Sequence, residues 1–207
     1  MKSKILNRFV LILTIMLGQQ YVYAQMYVSP NSYVFADNAS VYIKQDLELN
    51  AANSNFYLRN DAQLLQGTAL SGANKGVGNL SVYQEGTVNN YQYNYWCSPV
   101  GNTLSATAIN NPFGIAQLKD VTGLITSNDP VVLAKNNYDG SASHLSIAPY
   151  WFWKFITSST YSQWVQVAST NSVNTGEGFS MKGTSGSSSD QRYDFRGKPN
   201  DGNIATA

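Results

Sequence analysis

The sequence predicts an all-β protein: short solenoid-like or meander strands followed by an antiparallel β-sandwich of jelly-roll type. Three observations carry this expectation. Strand-favouring aromatics are frequent, with 14 Tyr, 8 Phe and 4 Trp in 207 residues, and such side chains fit a pleated, half-buried surface. Apolar and polar residues alternate in short runs that Asn, Ser and Gly interrupt every few positions. Helix-forming runs of Ala, Glu, Lys and Leu are nearly absent. The one candidate, residues 115 to 121, is too short to hold as a helix without tertiary packing and reads as a turn or a single helical loop.

The chain divides into three stretches. Lys2, Lys4 and Arg8 precede an apolar run from Phe9 to Leu17, and small residues lead to Ala24. That order is the pattern of a secretory signal peptide over residues 1–24, with cleavage expected before Gln25. The apolar run is too short to cross a bilayer as a helix, and no later segment is long enough to be transmembrane. Residues 25–100 form a repetitive β region. Residues 101–207 read as a sandwich region with long loops, cut short at its C-terminal end.

Loss of the leader removes three basic groups from the 13 Lys and Arg and leaves the 12 acids, so the remaining chain carries a formal charge of −2. With no basic stripe there is no electrostatic reason to bind nucleic acid or an anionic membrane. The lone Cys97 rules out an intramolecular disulfide, so folding rests on buried apolar area.

Within the repetitive region, Met26-Tyr27-Val28, Val41-Tyr42-Ile43 and Phe56-Tyr57-Leu58 recur every 15 residues. Each sets a tyrosine opposite two apolar side chains across a strand of period two. Stacked units burying one apolar row would explain the repetition, although 15 residues is short for a solenoid coil. Val41, Ile43, Leu47, Leu49, Phe56, Leu58 and Leu64 are expected to be buried. Strand character resumes at residues 80–83 and 91–95, and Pro99 places the following corner at a sheet edge or in a loop. Residues 101–145 are loop-rich, with turn signals at Asn111-Pro112, Asn128-Asp129-Pro130 and Tyr138-Asp139-Gly140. Strands return at 151–155, 164–167, 178–181 and 192–195.

Chemistry is sparse. One histidine, His144, and one cysteine cannot build a zinc site, and no cofactor motif is present. Gly72, Gly76 and Gly78 lack the Lys-Ser/Thr pair and helix of a phosphate loop. A Cys97/His144 nucleophile pair is conceivable, but a thiol in an aromatic strand is expected to be buried and inert. Among Asp120, Asp129, Asp139 and Glu177 two acids could in principle flank a glycosidic bond. Acids in such turns more commonly cap loops. Asp139, Asp190 and Asp201 could supply calcium oxygens, but none lies in an EF-hand loop.

Aromatics remain the best functional clue. Trp151, Trp153 and Phe155 share one strand face, Phe152 and Lys154 the other, and Trp164 follows shortly. Bulky side chains on both faces point to a strand inside a sandwich. If exposed, Trp151, Trp153 and Trp164 would stack on sugar faces, which makes glycans, or other surface proteins, the expected partners.

A series of segments carries a resemblance: Phe56-Tyr57-Leu58-Arg59, Ser81-Val82-Tyr83-Gln84-Glu85-Gly86, the run from Tyr95 to Gly101 (YWCSPVG), that from Gly176 to Gly183 (GEGFSMKG) and that from Phe195 to Gly202 (FRGKPNDG). Together they resemble the N-terminal region of large secreted, type IX secretion-associated surface proteins of Flavobacterium-like bacteria. The resemblance implies an outer-membrane surface or extracellular location and an adhesion or matrix role. Relatives of that kind continue past the last landmark to a sorting domain, so this chain is expected to be the N-terminal part of a longer polypeptide. Two readings follow: a structural or adhesion module with no catalytic activity or cofactor of its own, or the carbohydrate-binding portion of a larger secreted enzyme.

Overall fold

The computed structural model describes residues 25–67, 73–156, 163–170, 172–188 and 190–205. The expected signal peptide and Gly72 lie outside the described residues. The protein is all-β: solenoid-like parallel strands lead into a two-sheet sandwich. Among the described residues no helix is long and apolar enough to cross a membrane.

The chain first winds in coils of three strands. β1 (Met26–Val28), β2 (Tyr33–Asp37) and β3 (Ser40–Ile43) make one coil, and β4 (Leu47–Leu49), β5 (Asn55–Arg59) and β6 (Gln63–Gln66) make the next. β7 (Lys75–Gly76) and β8 (Asn79–Gly86) open a third. Each strand pairs in parallel with its counterpart one coil later, in the orders β1-β4-β7, β2-β5-β8 and β3-β6. Met26 stands beside Leu47, Tyr33 beside Asn55 and Ser40 beside Gln63, so one coil takes 21 to 23 residues. The 15-residue spacing is therefore not the coil length. Its three triplets fall in β1, β3 and β5, on three different faces, and echo one another because every face demands the same inward–outward alternation.

Burial follows that alternation. Ile43, Leu47, Leu49, Phe56 and Leu58 are buried, while Val41 and Leu64 are half-buried against the same core. Tyr27 and Tyr42 face solvent as expected, but Tyr57 is only 5% exposed. It points outward and is covered by a second layer built from distant parts of the chain. The Arg59 guanidinium lies 3.5 Å from the centre of the Tyr83 ring and 5.1 Å from that of Tyr57. It donates to the carbonyl oxygens of Leu124 (2.6 Å) and Ser81 (2.9 Å) and to Ser81 Oγ (2.9 Å). Asp194, fully buried, accepts from Ser81 Oγ (2.6 Å), Ser127 Oγ (2.7 Å) and Arg196 Nε (2.9 Å).

The third coil turns into the sandwich. β9 (Tyr93–Cys97) and β10 (Val100–Gly101) follow β8, and a single 3-10 turn at Ile115–Gln117 runs straight into β11 (Leu118–Val121). The segment expected to be a turn or helical loop is thus half turn and half strand. β12 (Ser127–Asn128), β13 (Val131–Val132), β14 (Ser146–Ile147), β15 (Phe152–Phe155), β16 (Trp164–Gln166), β17 (Gly178–Lys182) and β18 (Gln191–Pro199) complete the order. β18 pairs antiparallel with β8 from Gln191 beside Gly86 to Gly197 beside Leu80, so one sheet, β12-β11-β18-β8-β5-β2, joins solenoid and sandwich. The second sheet, β16-β15-β17-β9, is antiparallel throughout.

Between the sheets sits an aromatic core. Phe113 stacks on Phe179 (5.1 Å between centroids) and Phe195 (5.7 Å) and tilts against Phe152 (6.3 Å). Trp96 meets Tyr193 and Phe195 edge-on at 5.2 and 5.5 Å. Rings of this size each remove about 150–250 Å² from water, worth about 4–6 kcal/mol before entropy. Three of the landmark segments converge here: the Tyr95–Gly101 run lends β9 to β17 and β10 to β18. Asn200 seals the corner, its backbone N–H donating to the Pro99 oxygen (3.0 Å) and its side chain to the Ser98 oxygen (3.1 Å).

Candidate functional site

The second sheet has one face in the core and the other toward solvent. Inward are Phe152, Met181 and Phe179, all buried. The residues between them turn outward, and strand register sets them in rows. Trp164, Phe155, Gly178 and Cys97 make one row; Gln166, Trp153, Ser180 and Tyr95 the next; Trp151, Lys182 and Tyr93 the last. Trp153, Phe155 and Trp164 are half-buried and Tyr95 is 70% exposed. Only Phe152 of the Trp-Phe-Trp-Lys-Phe strand is core, which corrects the expectation that its aromatics on both faces are interior. Trp151 belongs to a 3-10 turn at Pro149–Trp151, just before the strand.

Over Gly178 this face opens into a cleft of about 520 Å³, within the range of small-ligand sites. Phe155 and Trp164, with ring centroids 5.2 Å apart, form one wall; Tyr95 and Cys97 bound the other side. The cleft owes its depth to glycine: among the described residues a Cβ at Gly178 would meet only the Trp96 oxygen, at 3.8 Å. Among the described residues no acidic or basic side chain lines it.

The floor is held from below. Lys154 donates to Glu177 Oε2 (2.8 Å) and to the Ser172 oxygen (2.6 Å), and Glu177 accepts from the Asn174 backbone (2.7 Å) and side chain (2.9 Å). This fastens the turn that feeds Gly178 into β17. Burial alone would raise the Glu177 pKa, but the bonds from Lys154 and Asn174 outweigh it and hold the carboxyl below its ordinary range.

At the far end the rings form a closed cluster. Trp151 Nε1 donates to the Tyr138 oxygen (2.9 Å), and Tyr150 lies edge-on to both Trp151 (4.7 Å) and Tyr138 (5.0 Å). Lys182 sits 5.2 Å from the Trp151 ring centre and pairs with Asp139 Oδ1 at 2.6 Å. The three tryptophans singled out from the sequence thus share a face but not a cleft. Trp164 lines the cleft, Trp153 lies one row along, and Trp151 has its indole N–H engaged. Tyr95, Phe155 and Gly178 were missed as site residues. Their common signal is strand parity: once Trp96 and Phe179 are inside, Tyr95, Cys97 and Gly178 must be outside.

Cys97 is exposed, contrary to the expectation of a buried thiol, because it shares the parity of Tyr95. Desolvation nevertheless pushes its pKa up, against a backbone hydrogen bond with Gly176. His144 lies apart from it, in the 141–146 turn beside β14, with φ of 57°. Among the carboxylates, Asp129 pairs with Lys119 (2.6 Å), and that hydrogen bond holds it below its usual range. Asp129 and Glu177 are therefore kept ionised, whereas a glycosidic general acid must stay protonated. Among the described residues no three His, Cys, Asp or Glu side chains cluster to hold a metal. Comparison of the chain with protein-family models, with curated proteins and with solved structures gives no match in any of the three.

Proposed function

We propose that this protein is an exported cell-surface or extracellular adhesion module, without catalytic activity of its own, that holds glycans on the outward aromatic face of its four-stranded sheet. The observation that carries the reading is the cleft over Gly178, walled by Phe155, Trp164 and Tyr95. Pyranose rings expose faces of C–H groups that pack on aromatic planes, so a site for them needs solvent-facing rings around an open floor. Contiguous exposed apolar surface on a soluble protein marks an interaction site. The exported setting is supported by the leader-like pattern of residues 1–24 and by the likeness of the landmark series to type IX-secreted surface proteins.

A glycan array with the purified protein tests the reading. Bound glycans should disappear with Trp164→Ala and with Gly178→Leu, while near-ultraviolet dichroism from the buried aromatic core stays unchanged. A blank array, or binding indifferent to both substitutions, overturns it. N-terminal sequencing of exported material should begin at Gln25; an intact Met1 there removes the cleaved signal peptide, and retention in the cytoplasm removes the export part.

A further inference from the structure

We infer, resting on the glycan reading above, that the ligand is a neutral polysaccharide of equatorially substituted pyranoses, one ring entering the slot over Gly178 and its neighbours lying along β17 toward Lys182.

Charge selects neutrality. Among the described residues the cleft lining contains no acidic or basic side chain. The nearest charges of the sheet are already satisfied: Lys154 by Glu177 at 2.8 Å on the inner side, and Lys182 by Asp139 at 2.6 Å at the far end. A uronic acid carboxylate or a sugar sulfate entering here would lose water and find no cation, which is strongly unfavourable.

Shape selects flat rings. Gly178 on β17 stands between Phe155 on β15 and Cys97 on β9, each one strand away. The two walls therefore rise from backbones about 10 Å apart. Rings stand on both sides of this floor, Phe155 and Trp164 on one and Tyr95 on the other. A pyranose with all its hydroxyls equatorial presents them two flat C–H faces, whereas an axial hydroxyl sets a polar group against a ring.

Length follows from the rows. Beyond Gly178 the floor closes, because Ser180, flanked in register by Trp153 and Tyr95, is only 4% exposed. The next rings of an extended chain must ride over Trp153 and the 70% exposed Tyr95 rather than descend between them. From Gly178 to Lys182 the strand advances about 13 Å. There the Trp151–Lys182–Asp139 cluster ends the open surface.

Calorimetric titration of the purified protein tests this with β-1,4-linked glucose oligomers of increasing length and with β-1,4-linked glucuronate oligomers, of the same stereochemistry, as the acidic probe, each at low and high salt. Affinity for the neutral series should rise about tenfold from the single sugar to the trimer and then level off, since each added ring contact is modest. Salt should leave it unchanged, and the glucuronate oligomers should not bind. Trp153→Ala, one row beyond the cleft lining, should keep single-sugar binding and lose the gain with length; Gly178→Leu should lose both, with an unchanged melting temperature as the folding control. Preference for the acidic oligomer, weakening by salt, or affinity independent of length overturns this inference alone. Failure of the folded wild type to bind glycans of either class, here and on the array, overturns the glycan reading together with it.

Discussion

Replacement of Phe113 by alanine separates core aromatics from the outward row. The Phe113 ring is 2% exposed and lies between the two sheets, stacked at 5.1 and 5.7 Å on Phe179 and Phe195 and tilted against Phe152. Removing a buried phenylalanine costs about 3–5 kcal/mol, and the cost is largest where the surroundings cannot collapse. Here β17 and β18 are each held between two hydrogen-bonded neighbours, so we expect about 4–5 kcal/mol. With a urea slope of about 2 kcal/mol per molar, the unfolding midpoint falls by about 2 M. Tryptophan fluorescence across a urea series measures it. Trp164→Ala, on the solvent side, should cost less than about 1 kcal/mol, a midpoint change under about 0.5 M. A Trp164→Ala loss as large as that of Phe113→Ala would mean that the outward row is a second core, and the argument for a ligand face would fail.

Other outcomes follow from the same geometry. Gly178→Ala should leave the melting temperature unchanged, whereas Gly101→Ala, whose Cβ would lie 1.9 Å from the Asn111 oxygen, should cost about 1–3 kcal/mol. Arg59→Lys should cost about 2–4 kcal/mol by urea titration, because an ammonium cannot reproduce the fork that joins Leu124, Ser81 and the Tyr83 ring. The Glu177 carboxyl has its pKa lowered in the folded protein, so its contribution is complete above the ordinary value of about 4.3 and is lost as pH falls through the lower folded value. Glu177→Gln should therefore be less stable than wild type at pH 7 and should lose less between pH 5 and 3; parallel acid-unfolding curves would contradict this. Cys97, at the cleft edge with a raised pKa, should react slowly with iodoacetamide at pH 7 and faster as pH rises. Bound oligosaccharide should protect it, and an unprotected thiol in a saturated complex would place the ligand elsewhere.

How much of this was legible in the sequence depends on the range of the interaction. Alternation of side chains is local, so the strands and the inward set Ile43, Leu47, Leu49, Phe56 and Leu58 could be read directly. Lateral register is not local. The pairing of Met26 with Leu47 rather than Val41 depends on a three-strand coil closing around the core, and the recurring tyrosine triplets carry no information about which face each occupies. The buried state of Tyr57 is likewise invisible, because it is produced by Arg59, Ser81, Leu124 and Asp194 meeting across the molecule. For the candidate site, parity gives two sets of residues on each strand but not which set meets water. Trp151-Phe152-Trp153-Lys154-Phe155 is bulky on both faces, so the choice rests on Phe113, a residue of a distant loop, which occupies the Phe152 side.

The two sheets treat their outer faces in opposite ways, and that contrast bears on function. On the first sheet the outward positions Tyr57, Arg59, Ser81, Asp194 and Arg196 are sealed by one another and by the segment around Leu124 and Ile125. Polar groups there are paired and the face is closed over its centre, leaving Tyr33 and Phe35 exposed on the edge strand β2. On the second sheet the outward positions carry Tyr93, Tyr95, Trp153, Phe155 and Trp164 with a glycine among them, and Tyr95 and Gly178 remain exposed. Stability alone does not favour this choice, since large apolar rings at half-exposed positions gain little burial and promote association through the face they leave open. Threonine or lysine at the same positions would preserve the strands and remove that liability. The proposed glycan would give the rings a role outside the folded chain, because the area left exposed in the free protein would then be the source of its binding free energy.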